Sequence, residues 1–319
     1  MKKILAIAVM AAAVLTSCVK NEIVSPAGEI NFNAVNLKNT KAEVYGPIAN
    51  ATYPDEHFGV FAFPNLDPTV KYMNNVEIEF VDPDWKNATK NYYWPKESGN
   101  SLDFVAYSPY VLAPCSGTVT ASYDKGIAID NFTTTADLGH QVDLMVSNVI
   151  EDQTAADGVV DVVFKHVLSQ IRFTAAPKAD DYDIDGITVN SVKFTVKSQA
   201  DYAQTGTAVQ WDAWSNHDVD LVYEALNGGQ SVDLASTAAK AISVPLLIIP
   251  QTTTQITVAY TINYGSGHLE NCVATYTPTA QWQMNKIYTY NLSIGLDEIT
   301  FNPTVSTWDA TGVNETITE

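Results

Sequence analysis

Apolar and polar positions alternate in short runs along most of this chain. Phe58–Pro64 (F-G-V-F-A-F-P), Val76–Val81, Asn91–Trp94, Leu102–Tyr107, Gly126–Ile129 and Val142–Val149 each read as a strand, bounded by Pro, Gly, Asn and Asp clusters. A second series follows at Ile187–Lys197, Leu221–Ala225, Ala241–Ile249, Gln255–Tyr264, Cys272–Thr277, Ile287–Ile294 and Glu298–Val305. Between the two series, Val159–Thr174 is either one long bent strand or two. No long window carries the 3.6-residue period of an amphipathic helix, so the pattern predicts an all-β fold of two β-sandwich domains. Glu151–Gly158 (E-D-Q-T-A-A-D-G) reads as the linker. The predicted domains are residues 29–156 and 157–319, with a junction near Pro177 as the alternative if Phe164–Phe173 closes the first domain.

The N-terminal stretch has a different pattern. Lys2 and Lys3 precede an apolar run from Ile4 to Leu15, long enough for a secretory signal and too short to span a membrane. The run ends in Leu15-Thr16-Ser17-Cys18, a lipobox-like pattern. Residues 1–17 therefore read as a lipoprotein signal peptide and Cys18 as the site of palmitate-type lipidation. Residues 18–28 mix charge, Ser, Pro and Gly and read as a tether. From Glu29 to Leu37 the chain alternates: Ile30, Phe32 and Ala34 on one side, Asn31 and Asn33 on the other. This is a half-buried strand. The polar segment that follows offers a protease a basic site at Lys41-Ala42.

Composition narrows the functional classes. Hydrophobic residues make up 46% of the chain, ample for real cores, and acids outnumber bases by 36 to 17 for a net charge of −19. Such a surface repels nucleic acid. Cys115 and Cys272 are the cysteines left after Cys18 and imply no disulfide framework; two buried free thiols are expected.

Chemistry-bearing patterns are sparse. Asp181-x-Asp183-x-Asp185-Gly186 resembles the start of a calcium loop, but Val192 stands where such a loop needs a bidentate Glu. It reads first as an acidic turn before a strand, and no metal is assigned. The five histidines lack metal-ligand spacing, and His166, within an apolar run, reads as a core histidine. Gly265-Ser266-Gly267-His268 lacks the nucleophile-elbow pattern and reads as a hairpin turn. No carboxylate pair stands out, so the expectation is a protein that is not an enzyme and needs no cofactor. Tyr92-Tyr93-Trp94, Trp85, Trp211 and Trp214 read as core aromatics or, if exposed together, as a sugar-stacking platform.

The chain resembles the fimbrillin family of lipoproteins, subunits of the type V pili of the Bacteroides group. The resemblance rests on the lipobox, the strand and basic site at 30–42, F-G-V-F-A-F (58–63), Y-Y-W-P (92–95) and L-D-F-V-A-Y-S-P (102–109). It continues through D-L-M-V-S (143–147), F-K-H-V-L-S-Q-I-R-F (164–173), P-L-L-I-I-P-Q (245–251), Y-T-Y-N-L-S-I (288–294) and I-T-F-N-P-T-V-S-T-W (299–308). It implies transthyretin-like sandwich domains, lipidated export to the outer-membrane surface, and removal of the first strand. Another subunit then fills the vacated groove with a strand of its own. On this chain Ile30, Phe32 and Ala34 are the displaced side chains, and Ile299, Phe301, Val305 and Trp308 mark the candidate donor strand, with the tail after Trp308, through Val313 and Ile317, as the alternative. Partners would be other pilus subunits, outer-membrane lipid through Cys18, and a host or bacterial surface receptor. The family's cut usually follows an arginine; here Lys41 holds that place and Arg172, the sole arginine, lies within a predicted strand. A surface lipoprotein that binds glycans, or acts as pilus tip or anchor, is the alternative role.

Overall fold

The computed structural model describes residues 28–35, 57–81, 84–87, 89–97, 99–178, 185–210, 213–226, 229–234, 238–252, 254–265, 267–295, 298–308 and 314–315. These form strands and connections, with no α-helix among them. In chain order the strands are β1 (Phe32–Val35), β2 (His57–Pro64), β3 (Met73–Val81), β4 (Asp84–Asn87), β5 (Leu102–Ser108), β6 (Ser116–Ser122), β7 (Gly126–Thr133), β8 (Met145–Ser147), β9 (Ile150–Gln153) and β10 (Val160–His166). They continue with β11 (Ser169–Pro177), β12 (Gly186–Ala203), β13 (Trp214–Glu224), β14 (Val232–Leu234), β15 (Lys240–Ala241), β16 (Leu246–Ile248), β17 (Ile256–Asn263), β18 (Leu269–Tyr276), β19 (Lys286–Ile294), β20 (Ile299–Thr307) and β21 (Asn314–Glu315).

Among the described residues three sheets enclose three cores. The first runs β2-β3-β4-β1-β10-β8-β5-β9, and β2 also pairs with β5, so its pairings close into a ring with β1 as one stave. Ile30, Phe32, Phe58, Ile78, Trp85, Phe104 and Phe164 fill this ring. The second sheet, β15-β11-β19-β20-β21, faces β17, β12 and β18 of the third across a core that includes Phe173, Phe194, Tyr223, Trp282 and Tyr290. A middle core lies between the first sheet and the β6–β7 end of the third, where Phe61, Tyr107, Phe132, Tyr202 and Trp214 meet. Strands β2 and β5 are buried on both faces because they stand between the ring core and the middle core, which is why their text is nearly continuous in apolar residues.

The 18-residue β12 joins the last two cores. Its first half pairs with β17, and Gln199–Ala203 pair with β7 from the first half of the chain. Val159–Thr174 is two strands that serve different sheets: β10 pairs with β1 and β8, and β11 pairs with β19 over nine residues. A junction at 157 therefore falls before a strand of the first sheet, and one near Pro177 falls after the first strand of the second.

Several expectations need correction. Glu151–Gln153, read as linker, belong to β9, where Gln153 pairs with Leu102 and Ile150 with Phe104; only Thr154–Asp157 form a turn. Asn91–Trp94 is not a strand but a single bridge at Tyr93. Ala241–Ile249 breaks into β15 and β16, and Val142–Val149 keeps only three strand residues although most of it is buried. Cys115 is buried as expected, but Cys272 is only half-buried at the β18 edge.

Candidate functional site

β1 is the site. Its backbone enters beside Tyr92–Trp94: Ile30 N–H donates to Tyr92 O (2.8 Å), Trp94 N–H donates to Gly28 O (3.1 Å), and Glu29 bridges Tyr93. It then runs parallel to β10, with Phe32 opposite Val160, Asn33 opposite Asp161 and Ala34 opposite Val162. On its other side β1 meets β4 at one antiparallel pair, Phe32 with Trp85. The parallel ladder starts at Val160 N–H donating to Asn31 O (2.9 Å). Alternation along the strand then directs the backbone groups of Asn31 and Asn33 toward β10 and those of Phe32 and Ala34 toward β4.

The side chains divide as the alternation requires. Ile30, Phe32 and Ala34 are 6%, 5% and 5% exposed. Asn33 lies outside and donates from Nδ2 to Asp161 Oδ1 (2.9 Å). Phe32 meets Phe58 (6.0 Å, 88°) and Phe104 (5.8 Å, 82°) edge-to-face. Behind them Phe58 packs on Trp85 and Phe164, and Trp94 packs on Phe104. Aromatic rings prefer such tilted contacts, each adding roughly 0.5–1.5 kcal/mol beyond burial. The ring thus has an aromatic socket with one plug from β1. The alternation of 30–34 makes the buried face legible; the contributions of Trp85 and Val160–Phe164 to the socket rest on non-local pairing and carry no local signal.

β20 is seated differently from a free donor. It pairs with β19 over nine residues, and β21 covers part of its other edge at Val305 and Ser306. Val305 is buried, and Ile299 and Phe301 are partly buried against the second core, Phe301 stacked on Tyr276 (4.6 Å, 7°). Trp308 stacks on the buried His166 (4.0 Å, 5°), whose Nδ1 is 2.9 Å from Asp143 Oδ1.

Cys18, Lys41, Ala42, Asp181 and Asp183 lie outside the described residues. Asp185 caps the start of β12, its N–H donating to Asn263 O (2.7 Å). Among the described residues of the set no sugar platform assembles: Trp85, Trp94 and Trp214 are 4%, 4% and 8% exposed, because each completes a core, and of those described only Tyr93 is exposed; Trp211 lies outside the described residues. The Gly265–His268 turn joins β17 to β18, with His268 N–H donating to Gly265 O (2.9 Å).

A family model described as fimbrillin-like matches residues 40–308. The chain belongs to the fimbrillin-like family. Among solved structures, this fimbrillin-like chain is similar to a fimbrial protein of Bacteroides vulgatus, with 21% identity and a TM-score of 0.62 over 88% of this chain and 99% of that one. It is also similar to a candidate cell adhesion protein of Bacteroides uniformis (19%, TM-score 0.55, 88% and 98%). A candidate cell adhesion protein of Bacteroides ovatus is a third (16%, TM-score 0.51, 89% and 98%). At these identities the likeness establishes the all-β fold. No curated protein matches the chain significantly.

Proposed function

We propose that this chain is a non-enzymatic structural subunit of a cell-surface fimbria, exported as a lipoprotein through Cys18 and polymerised by β-strand exchange once its first strand is cut away after Lys41. One observation carries the reading. Ile30, Phe32 and Ala34 plug a ring of strands that is closed everywhere else, and among the described residues that plug is held by the main-chain ladder, its buried side chains and one exposed Asn33–Asp161 hydrogen bond. Removal leaves β4 and β10 as facing edges over an aromatic groove, an arrangement that takes up an added strand through main-chain bonds and alternate side-chain pockets. Each emptied pocket corresponds to about 1.5–3 kcal/mol of apolar burial for a large side chain. The fimbrial and adhesion relatives support a surface location and other subunits as partners. The two-domain division, transthyretin-like within each unit, belongs to the same proposal.

A sequence match supports the C-terminal strand as the source of the replacement. Glu29-Ile30-Asn31-Phe32-Asn33-Ala34 and Glu298-Ile299-Thr300-Phe301-Asn302-Pro303 share Glu, Ile, Phe and Asn in the same order and spacing. Laid in the groove, Ile299 takes the place of Ile30 and Phe301 that of Phe32. Pro303 falls at Ala34, whose N–H faces the β4 side beyond the last pair, so the missing proline donor removes no bond to β10. In the folded chain this segment is seated on β19, so a donor must first release it.

The test is limited digestion of the native precursor with a lysine-specific protease, following mass and size. The expected result is a cut after Lys41 and concentration-dependent oligomers. A peptide of residues 28–36 should block them, and a peptide of 297–305 should block them better than one of 309–319. Cleavage without oligomers would refute strand exchange.

A further inference from the structure

β18 ends the third sheet, and among the described residues nothing pairs with its outer edge. Natural edge strands are usually protected by lysine, proline, a bulge or shortness. β18 has none of these. It pairs with β17 over eight residues without a register shift, and its one charge, Glu270, accepts a hydrogen bond from Tyr264 Oη (2.8 Å). Its outward row is Leu269, Asn271, Val273 and Thr275, with Leu269 61% and Val273 69% exposed. The neighbouring outward row on β17 is Thr257, Ala259, Thr261 and Asn263. All eight positions are uncharged on a chain of net charge −19.

We propose that the β18 edge is a lateral contact between two copies of this chain, paired antiparallel about a two-fold axis through Asn271. The sequence of the row selects this occupant and register. With Asn271 opposite its own copy, Leu269 meets Val273 of the second copy on both sides of the axis, and Glu270 faces Cys272 rather than another Glu270. Like charges directly opposite are avoided, and the two apolar pairs are the kind that stabilise an antiparallel ladder. Thr261 Oγ1 donates to Asn271 Oδ1 (2.8 Å), fixing that side chain at the axis. Its amide N–H groups then meet the second lone pair of the copy's Oδ1. The uncharged strip is where two strongly acidic bodies approach with least repulsion, so association strengthens with added salt, which screens the rest of the surface. The contact uses no part of the β1 groove and stands whether or not strand exchange occurs.

The experiment uses protein purified after expression of the full-length chain, with Lys41→Ala to keep β1 in place. Sedimentation velocity at rising protein concentration, at about 0.1 M and about 0.5 M salt, where the screening length falls from about 10 Å to a few Å, should show a monomer–dimer equilibrium favoured by salt. Val273→Lys should weaken it by at least about tenfold, with an unchanged melting curve because the side chain is exposed. Asn271→Cys in a Cys272→Ser background should give a disulfide-linked dimer on mild oxidation, since directly opposed residues stand roughly 4.5–5.5 Å apart at Cα. Thr275→Cys in the same background should not. A monomer at all concentrations, a dimer indifferent to Val273→Lys, or linkage through residue 275 instead of 271 would each overturn the proposal.

Discussion

Phe32→Ala is the sharpest perturbation of the ring. The side chain is 5% exposed and meets Phe58 and Phe104 at 6.0 and 5.8 Å. Truncating a core phenylalanine costs about 3–5 kcal/mol, as lost transfer energy plus the cavity left behind. The upper half of that range applies here, because the socket walls are themselves locked by Trp85, Trp94 and Phe164 and collapse poorly. For a protein with about 5–15 kcal/mol of stability this is a large fraction. Urea titration of the uncut chain, followed by the fluorescence of its six tryptophans, two of which (Trp85 and Trp94) line the ring, measures it. The same substitution has a second expected outcome. Once the segment to Lys41 is removed, the Phe32→Ala protein and the parent become the same molecule, so the polymers formed by the two should be indistinguishable. Phe301→Ala should behave in the opposite way, with a smaller effect on the uncut fold, where Phe301 is only partly buried, and weaker polymer. A Phe32→Ala precursor within 1 kcal/mol of the parent (well below the usual range) would refute the claim that this strand fills the ring.

Asn33→Ala, which removes only an exposed hydrogen bond to Asp161, should cost less than about 1 kcal/mol in the same titration. Gly59→Ala should destabilise by about 1–3 kcal/mol in thermal melts, because an added Cβ would stand 2.2 Å from the Tyr107 ring. Burial pushes the Tyr223 hydroxyl up to about 12, and raises Tyr107 and Tyr202 further. The native state therefore keeps protons that the unfolded chain releases above pH ~10. Stability should be intact below that pH and fall as pH rises from about 10 to 12, by roughly 2–3 kcal/mol for Tyr223 alone; a flat urea midpoint across that window would contradict the burial. Burial also pushes the Cys115 thiol up to about 11. In native protein at pH 8 a thiol reagent should label the half-buried Cys272 first and reach Cys115 only on unfolding, as peptide mass mapping would show.

Strands that present one face to a core and one to water were legible from alternation alone, as at 256–263, 286–294 and 299–307. The segments that alternation misses follow from tertiary context. β6 (S-G-T-V-T-A-S) is mostly polar and sits at a sheet end, so its pairing to β7 leaves little apolar text. β12 continues past Lys197, where the predicted strand ends, through the polar Ser198-Gln199-Ala200-Asp201; Ala200 and Tyr202 are nonetheless buried in the middle core. Val142–Val149 is apolar because it passes between two cores, not because it is all strand. Of the candidate site, the inward face of β1 could be read directly. The parallel pairing to β10 could not, since it joins residues 128 positions apart and nothing local encodes it.

The layout of the cores explains how one strand could be expendable in an otherwise closed fold. The segment from Ile30 through β1 contributes Ile30, Phe32 and Ala34 to the ring core, and none of its described side chains joins the middle or second core. The strands that flank the middle core, β2 and β5, pair directly with each other, so their contact does not pass through β1. β12 binds the middle core to the second through its own length, again without the ring. Loss of β1 therefore removes a quantity of burial confined to one core and opens one edge on each side of it, while the pairings that hold the body together persist. That is the condition strand exchange demands: an acceptor that stays folded when emptied, with an unmet burial large enough to draw in a strand from a neighbour. A strand shared between cores, such as β2, could not be released without unfolding the body. β3, β4 and β10 also serve the ring core alone, but β1 is joined to β4 by a single pair, whereas β3 is joined to β4 by four.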